Sequence, residues 1–255
     1  MSSMIEKDTI ASDAQMHRLL QQTNAWCGLN GLMYTDGKLN WTPAPLSLVP
    51  NVFNAASFQY AAEIQPVISK LVDAISRDKE FLLTQLSSVS ESDEFTKKVM
   101  DLYKEIPEDV IKNGLQCGIL RSDYMINNDH RPLQVEINTI ASSFGYLSKK
   151  VSEYHRFVLN RNKGRPELQA IIDATSLAPT ADMLEKYTAE NVVSNPSSTE
   201  LAAVLAAAHR AHGDDKAVIL FIVQPGERNV SVGVVTVLLL DKRNSRLYLQ
   251  TILLY

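Results

Sequence analysis

Met16, Leu19, Leu20 and Trp26 recur at the steps of one helix face, and Ser12-Asp13-Ala14-Gln15 stands before them with capping-box spacing. Gly28 and Gly31 close that element. Pro43, Pro45 and Pro50 then hold the chain extended, because each fixed φ disfavours helix in the residue before it. A second helical run covers residues 54–89 and is interrupted at Pro66. Ile68, Leu71, Val72 and Ile75 make one apolar stripe there, and Phe81, Leu82 and Leu86 make another. After Ser92-Asp93-Glu94 a further helix carries Phe95, Val99 and Leu102. Stripes this amphipathic are assigned to core. Residues 1–112 present no catalytic constellation.

The period changes at Gly114. Residues 115–126 read as a strand, 127–132 carry turn chemistry, and 133–139 read as a second strand, so the pair predicts a hairpin. In the second strand Leu133, Val135 and Ile137 take one face, and Gln134, Glu136 and Asn138 the other. Phe144, Leu147, Val151, Tyr154 and Val158 then mark a helix that bears His155, while residues 163–190 are less periodic and read as helix or loop. Ser197-Ser198-Thr199-Glu200 is a second capping box, opening an Ala-rich helix over 201–212 that Gly213 ends. The continuously apolar run 217–223 is the signature of a strand buried on both faces of a parallel sheet. Ligands of such sheets sit beyond the carboxyl ends of the strands, where residues 224–229 lie.

Composition narrows the class. The chain has 255 residues, 45% of them hydrophobic, and a net charge of −4. Its pI of 5.8 argues against a nucleic-acid-binding face. Two cysteines, Cys27 and Cys117, cannot build a disulfide framework or a four-ligand zinc site. The N-terminal residues lack a secretory pattern, and the longest apolar run, 234–240 broken by Thr236, falls short of the ~18 residues of a membrane helix. A soluble, cytoplasmic protein with no nucleic-acid or membrane partner is expected.

Glu136 and Asn138 are the most informative pair, since a hard cation such as magnesium takes one or two protein oxygens and completes its shell with water and phosphate. The plainer alternative is the solvated face of a half-buried strand. Arg121 and Asp123 share a face of the preceding strand and suit a cross-strand ion pair, and an arginine also grips carboxylates with two parallel hydrogen bonds. Residues 139–145 join strand to helix, so their hydroxyls either cap the helix or flank an anion at its free amides. The five histidines show no metal spacing, and no nucleophile elbow or phosphate-cradling glycine loop occurs.

At these residues the sequence resembles the eukaryotic glutathione synthetase family. The likeness rests on Arg121-Ser122-Asp123-Tyr124-Met125 and on the run from Gln134 through Glu136, Asn138 and Ser143 to Gly145. His155, Ser194-Asn195-Pro196-Ser197 and Glu227-Arg228-Asn229 support it, and it extends from about Ser12 to Val230. The resemblance implies an α/β fold: a helical N-terminal region packed on a hairpin-containing ATP-grasp portion (1–195), the beginning of a parallel-sheet substrate-binding domain (196–230), and a divergent apolar tail (231–255). It implies an ATP-dependent carbon–nitrogen ligase that joins γ-glutamylcysteine to glycine through an acyl phosphate, with magnesium, and that forms a homodimer. By the same resemblance Arg121 binds the dipeptide carboxylate, and Ile140, Ala141, Ser142, Ser143 and Glu227 line the dipeptide site. Glu136 is a magnesium ligand beside ATP, and Asn138 is a second magnesium ligand. No catalytic side chain is assigned.

Two departures weigh against full activity. Where the family has Ser-Ala-Ser this chain has Ala141-Ser142-Ser143, and Gly233 stands where the family has a substrate-binding glutamine. From Ser231 the likeness ends, and 232–255 reads as two apolar strands around Asp241-Lys242-Arg243-Asn244-Ser245. That tail is read as a splice variant, a frameshift or a gene-model error. The alternative function is a catalytically inactive, truncated homologue acting as a dimerisation or dipeptide-binding module.

Overall fold

The computed structural model describes residues 13–35, 40–140, 142–175, 185–214, 216–223 and 247–251. In chain order the elements are α1 (Asp13–Asn30), β1 (Met33–Thr35), β2 (Trp41–Pro43), α2 (Ala55–Arg77), α3 (Lys79–Gln85), α4 (Ser87–Ser92), α5 (Glu94–Glu105) and α6 (Glu108–Asn113). They continue with β3 (Arg121–Ile126), β4 (Pro132–Asn138), α7 (Gly145–Arg161), α8 (Pro166–Thr175), α9 (Ser197–His212), β5 (Ile219–Val223) and β6 (Leu247–Thr251). The chain divides into two compact units, one of residues 1–52 with 143–255, the other of residues 53–142.

In the first unit α1 ends in a left-handed turn at Gly31, φ 71°, and Leu32 N donates back to Cys27 O at 3.0 Å. Only glycine takes that φ without strain, which is why Gly31 stops the helix. The core gathers Leu19, Cys27, Leu32 and Val49 around Tyr154 and Val158 of α7 and Ile171 and Ile172 of α8. Trp26 meets Tyr154 edge-on at 5.4 Å, a favoured aromatic geometry. The Tyr154 hydroxyl is within 2.8 Å of Thr23 Oγ1, so this buried phenol keeps a polar partner. His155 Nε2 donates to Ser47 O at 3.0 Å and ties the proline-rich connector to α7. Burial lowers the pKa of His155 and raises that of the Cys27 thiol.

The second capping box is not built. Ser197 is the first residue of α9, and its hydroxyl donates to Gly145 O, so it is committed to α7 rather than to its own first turn. A Cβ added at Gly145 would meet a terminal methyl of Leu201, which would have to turn aside where α7 and α9 approach. β6 lies in the expected apolar tail and pairs in parallel with β5. The turn assigned to that tail, and Ser12 of the first capping box, lie outside the described residues.

In the second unit Asn54 Oδ1 accepts from Ser57 N at 3.0 Å and starts α2. The helix runs through Pro66 without the expected interruption. Pro66 is exposed, on the side where helix carbonyls already tilt toward water, and the breaks fall at Asp78 and Leu86 instead. Asp78 Oδ1 accepts from Phe81 N at 2.9 Å and opens α3. Arg77 Nη1 donates to Lys112 O at 3.0 Å and Gly114 O at 3.2 Å, and Lys79 Nζ donates to Lys104 O and Ile106 O, each at 2.7 Å. Two cations thus satisfy the open carbonyls at the C-termini of α6 and α5.

The predicted core stripe of α5 is on the surface. Phe95 is 73% and Leu102 66% exposed, whereas Met100 is buried and Tyr103 donates to Ser76 O at 3.1 Å. Amphipathicity located an apolar face but not the face that is buried.

Candidate functional site

The predicted hairpin forms, with a shorter first strand: residues 115–120 lie outside regular structure and β3 starts at Arg121. β3 and β4 run antiparallel with Arg121 opposite Asn138, Ser122 opposite Ile137 and Asp123 opposite Glu136. A bulge follows, so Tyr124 faces Gln134 and Val135 is left without a partner. Cross-strand partners share a face. Gln134 therefore leaves the face of Glu136 and Asn138, a correction to the simple alternation, because the extra residue shifts the period by one.

The four residues Arg121, Asp123, Glu136 and Asn138 form one hydrogen-bonded group. Arg121 Nε donates to Asp123 Oδ1 at 2.8 Å and Nη2 donates to Asp123 Oδ2 at 2.9 Å. The pair runs along one strand rather than across the hairpin, as the two-residue repeat allows. Asn138 Nδ2 donates to Asp123 Oδ2 and to Glu136 Oε1, both at 3.1 Å, and points at Arg121 O at 3.4 Å. The Arg121 hydrogen bonds hold the Asp123 carboxyl below its ordinary range, against a smaller opposing effect of burial, and raise the guanidinium in turn.

Ser142 Oγ lies 3.0 Å from Asn138 O and 3.1 Å from Ile119 O, fastening the segment after β4 to the start of β3. Ile140 is 83% exposed. Ser143 belongs to the other unit, half-buried and next to Phe144, which takes a left-handed φ of 74° before α7. Ala141 and Glu227 lie outside the described residues. Asp123 is the member that sequence reasoning did not select as a site residue. Its position on the Arg121 face was the available signal.

The donor set suits magnesium in kind and number. Glu136 offers carboxylate oxygens, and the three oxygens around Asn138 Nδ2 demand a donor, which turns Oδ1 to the far side of the amide. Glu136 and Asn138 would supply two protein oxygens to such a cation and would leave the rest of its shell to water and phosphate. Among the described residues no group of three His, Cys, Asp or Glu could hold a metal, so the site is not a self-contained cage. Two cavities lie elsewhere: one of about 350 Å³ beside Lys163, Arg165 and Tyr187, and one of about 670 Å³ between Asn54, Tyr60 and His130. Neither is lined by the residues singled out from the sequence.

The profile of the family described as eukaryotic glutathione synthase, ATP binding domain, matches residues 13–237. The chain belongs to this family. A chloroplastic glutathione synthetase of Solanum lycopersicum is 32% identical over 225 residues, covering 84% of this chain and 38% of that protein. Glutathione synthetase of Homo sapiens is 33% identical over 191 residues, 73% of this chain and 36% of its own. This glutathione synthase family chain thus spans well under half the length of those relatives. Among solved structures, a glutathione synthetase-like effector of Globodera pallida in its apo form superposes with a TM-score of 0.64 at 21% identity, covering 96% of this chain and 52% of that one. That likeness speaks to the fold. The family match ends beyond Val230, so the likeness reaches further into the tail than the sequence analysis placed it. No described helix is long and apolar enough to cross a membrane.

Proposed function

We propose that this chain carries the dipeptide-facing and metal-facing part of an ATP-dependent ligase that joins γ-glutamylcysteine to glycine. One observation carries the reading: Arg121, Glu136 and Asn138 share a face of one hairpin, inside a hydrogen-bonded group, in a chain of the glutathione synthase family. Arg121 takes the dipeptide carboxylate with the guanidinium that Asp123 already orients. Glu136 and Asn138 hold magnesium, which when bound neutralises phosphate charge during activation of the acceptor carboxyl. The family resemblance assigns Ile140, Ala141, Ser142, Ser143 and Glu227 to the dipeptide; of these Ser142 is tied to Asn138 O and Ile119 O. The reading includes the ATP-grasp architecture, the start of a substrate-binding domain at 196–230, a homodimer and a cytoplasmic location.

Calorimetry with glutathione as probe tests the first role: Arg121→Ala is expected to weaken binding by about tenfold or more, the loss of one charge-assisted fork. Equal affinity in the two proteins would remove Arg121 from the site.

A second reading has a specific observation behind it. Ala141 and Gly233 replace a hydroxyl and an amide of the family pattern, as expected of a homologue that binds dipeptide or a second copy without turnover. Phosphate release that depends on both γ-glutamylcysteine and glycine separates the two. The second reading expects almost none from the chain by itself, and release at an ordinary ligase rate excludes it.

A further inference from the structure

The Asp123 carboxylate touches both the Arg121 guanidinium and the Asn138 amide of the hairpin. Its Oδ1 and Oδ2 hold the side-on edge of Arg121 at 2.8 and 2.9 Å, and Oδ2 also accepts from Asn138 Nδ2 at 3.1 Å. Asn138 Nδ2 has Glu136 Oε1 at 3.1 Å and Arg121 O at 3.4 Å as its other neighbours. An amide turned the other way would set its oxygen against a carboxylate on each side and a carbonyl, with no donor among them.

We propose that Asp123 is a positioning residue that presets both halves of the site. Together with Glu136 Oε1 and Arg121 O it keeps the Asn138 amide with nitrogen inward and Oδ1 outward, and it holds the Arg121 guanidinium in place, before metal or dipeptide arrives. The proposal rests on the reading of Glu136 and Asn138 as metal ligands and Arg121 as the carboxylate grip, and goes beyond it by naming what fixes them. The physical benefit is preorganisation: an amide free to turn would offer the cation a donor for part of the time, and a guanidinium free to swing would lose rotamer freedom on binding. Asp123 also has the right chemistry for the task. Its two oxygens accept both bonds of the Arg121 fork and the Asn138 bond at once, whereas a neutral amide of that size has one acceptor oxygen with two lone pairs and cannot take all three.

Two neutral variants of the chain separate the hydrogen bonds from the charge. Mn2+ followed by electron paramagnetic resonance is the probe for the cation, and glutathione by calorimetry the probe for the carboxylate. Asp123→Ala is expected to raise the Mn2+ dissociation constant about tenfold, the usual scale for losing an outer partner of a ligand. Asp123→Asn restores an acceptor for Asn138 but cannot fork Arg121, so it recovers most of the Mn2+ affinity and little of the glutathione affinity. Equal Mn2+ losses in the two variants would show that charge alone matters and overturn the proposal, as would unchanged Mn2+ binding in Asp123→Ala. Glu136→Ala and Asn138→Ala are the reference: if they leave Mn2+ binding intact, the metal reading itself fails and the proposal falls with it, a result distinct from failure at Asp123 alone. The wild-type chain supplies an independent readout in the nitrogen–proton signal of the Asn138 side-chain amide. That signal is expected to exchange slowly and to stay hydrogen-bonded when Mg2+ is added. Exchange at the rate of a free amide, or transfer to a new acceptor on adding Mg2+, overturns the lock.

Discussion

Single residues of the first unit carry consequences that their sequence positions concealed. In sequence His155 belongs to an apolar helix and supports the family resemblance; in the structure it is 8% exposed and donates to the Ser47 carbonyl. Burial holds its folded-state pKa below the ordinary 6.5, so the unfolded chain takes up the proton first. Its contribution to stability is complete above pH 6.5 and drains as pH falls toward the folded value. Thermal denaturation between pH 8 and 5 is expected to show that loss, with a shallower slope in His155→Gln; identical slopes would remove His155 as the cause. Gly145 is a second case. An added Cβ would meet a terminal methyl of Leu201, which can turn aside, so Gly145→Ala is expected to cost about 1 kcal/mol, the low end of overpacking, measured by urea denaturation.

At the scale of elements, α5 shows how a correct pattern yields a wrong partner. Residues 94–105 are helical as the spacing predicts, and Asp93 caps them by accepting from Thr96 N at 2.7 Å. The stripe of Phe95, Val99 and Leu102 is nevertheless exposed, and burial falls on Met100 of the opposite side. Met100→Ala is accordingly expected to cost about 2–5 kcal/mol, and Phe95→Ser less than about 0.5 kcal/mol, in urea denaturation of the chain. The reverse order would return the stripe to the core. The hairpin makes a similar point. Its strands and turn were legible from residue types and alternation, whereas the bulge at Val135 was not, since it depends on how the two strands register and not on either strand alone.

For the molecule as a whole, the family was legible because its motifs are local runs: Arg121 to Met125, Gln134 to Gly145, and Glu227 to Asn229 can be read without coordinates. The division into units was not. Residues 1–52 and 143–255 fall in one unit, whose described core draws on α1, α7 and α8, and the intervening 53–142 form a unit of their own. A one-dimensional reading places boundaries along the chain and does not see that an early helix, α1, packs with the late helices α7 and α8.

Helix and strand periods, the stop at Gly31, the hairpin and the residues that mark the family followed from the order of amino acids, since each depends on neighbours within a few positions. Which apolar face is covered, which hydroxyl caps a helix and which carboxylate Arg121 holds were decided in three dimensions. Each of those outcomes is a competition among partners, and the contenders are assembled only when distant segments or adjoining strands come together. Asp123 shows the difference well: the chain order put it on the right face, and only the register of β3 against β4 gave it Asn138 to hold.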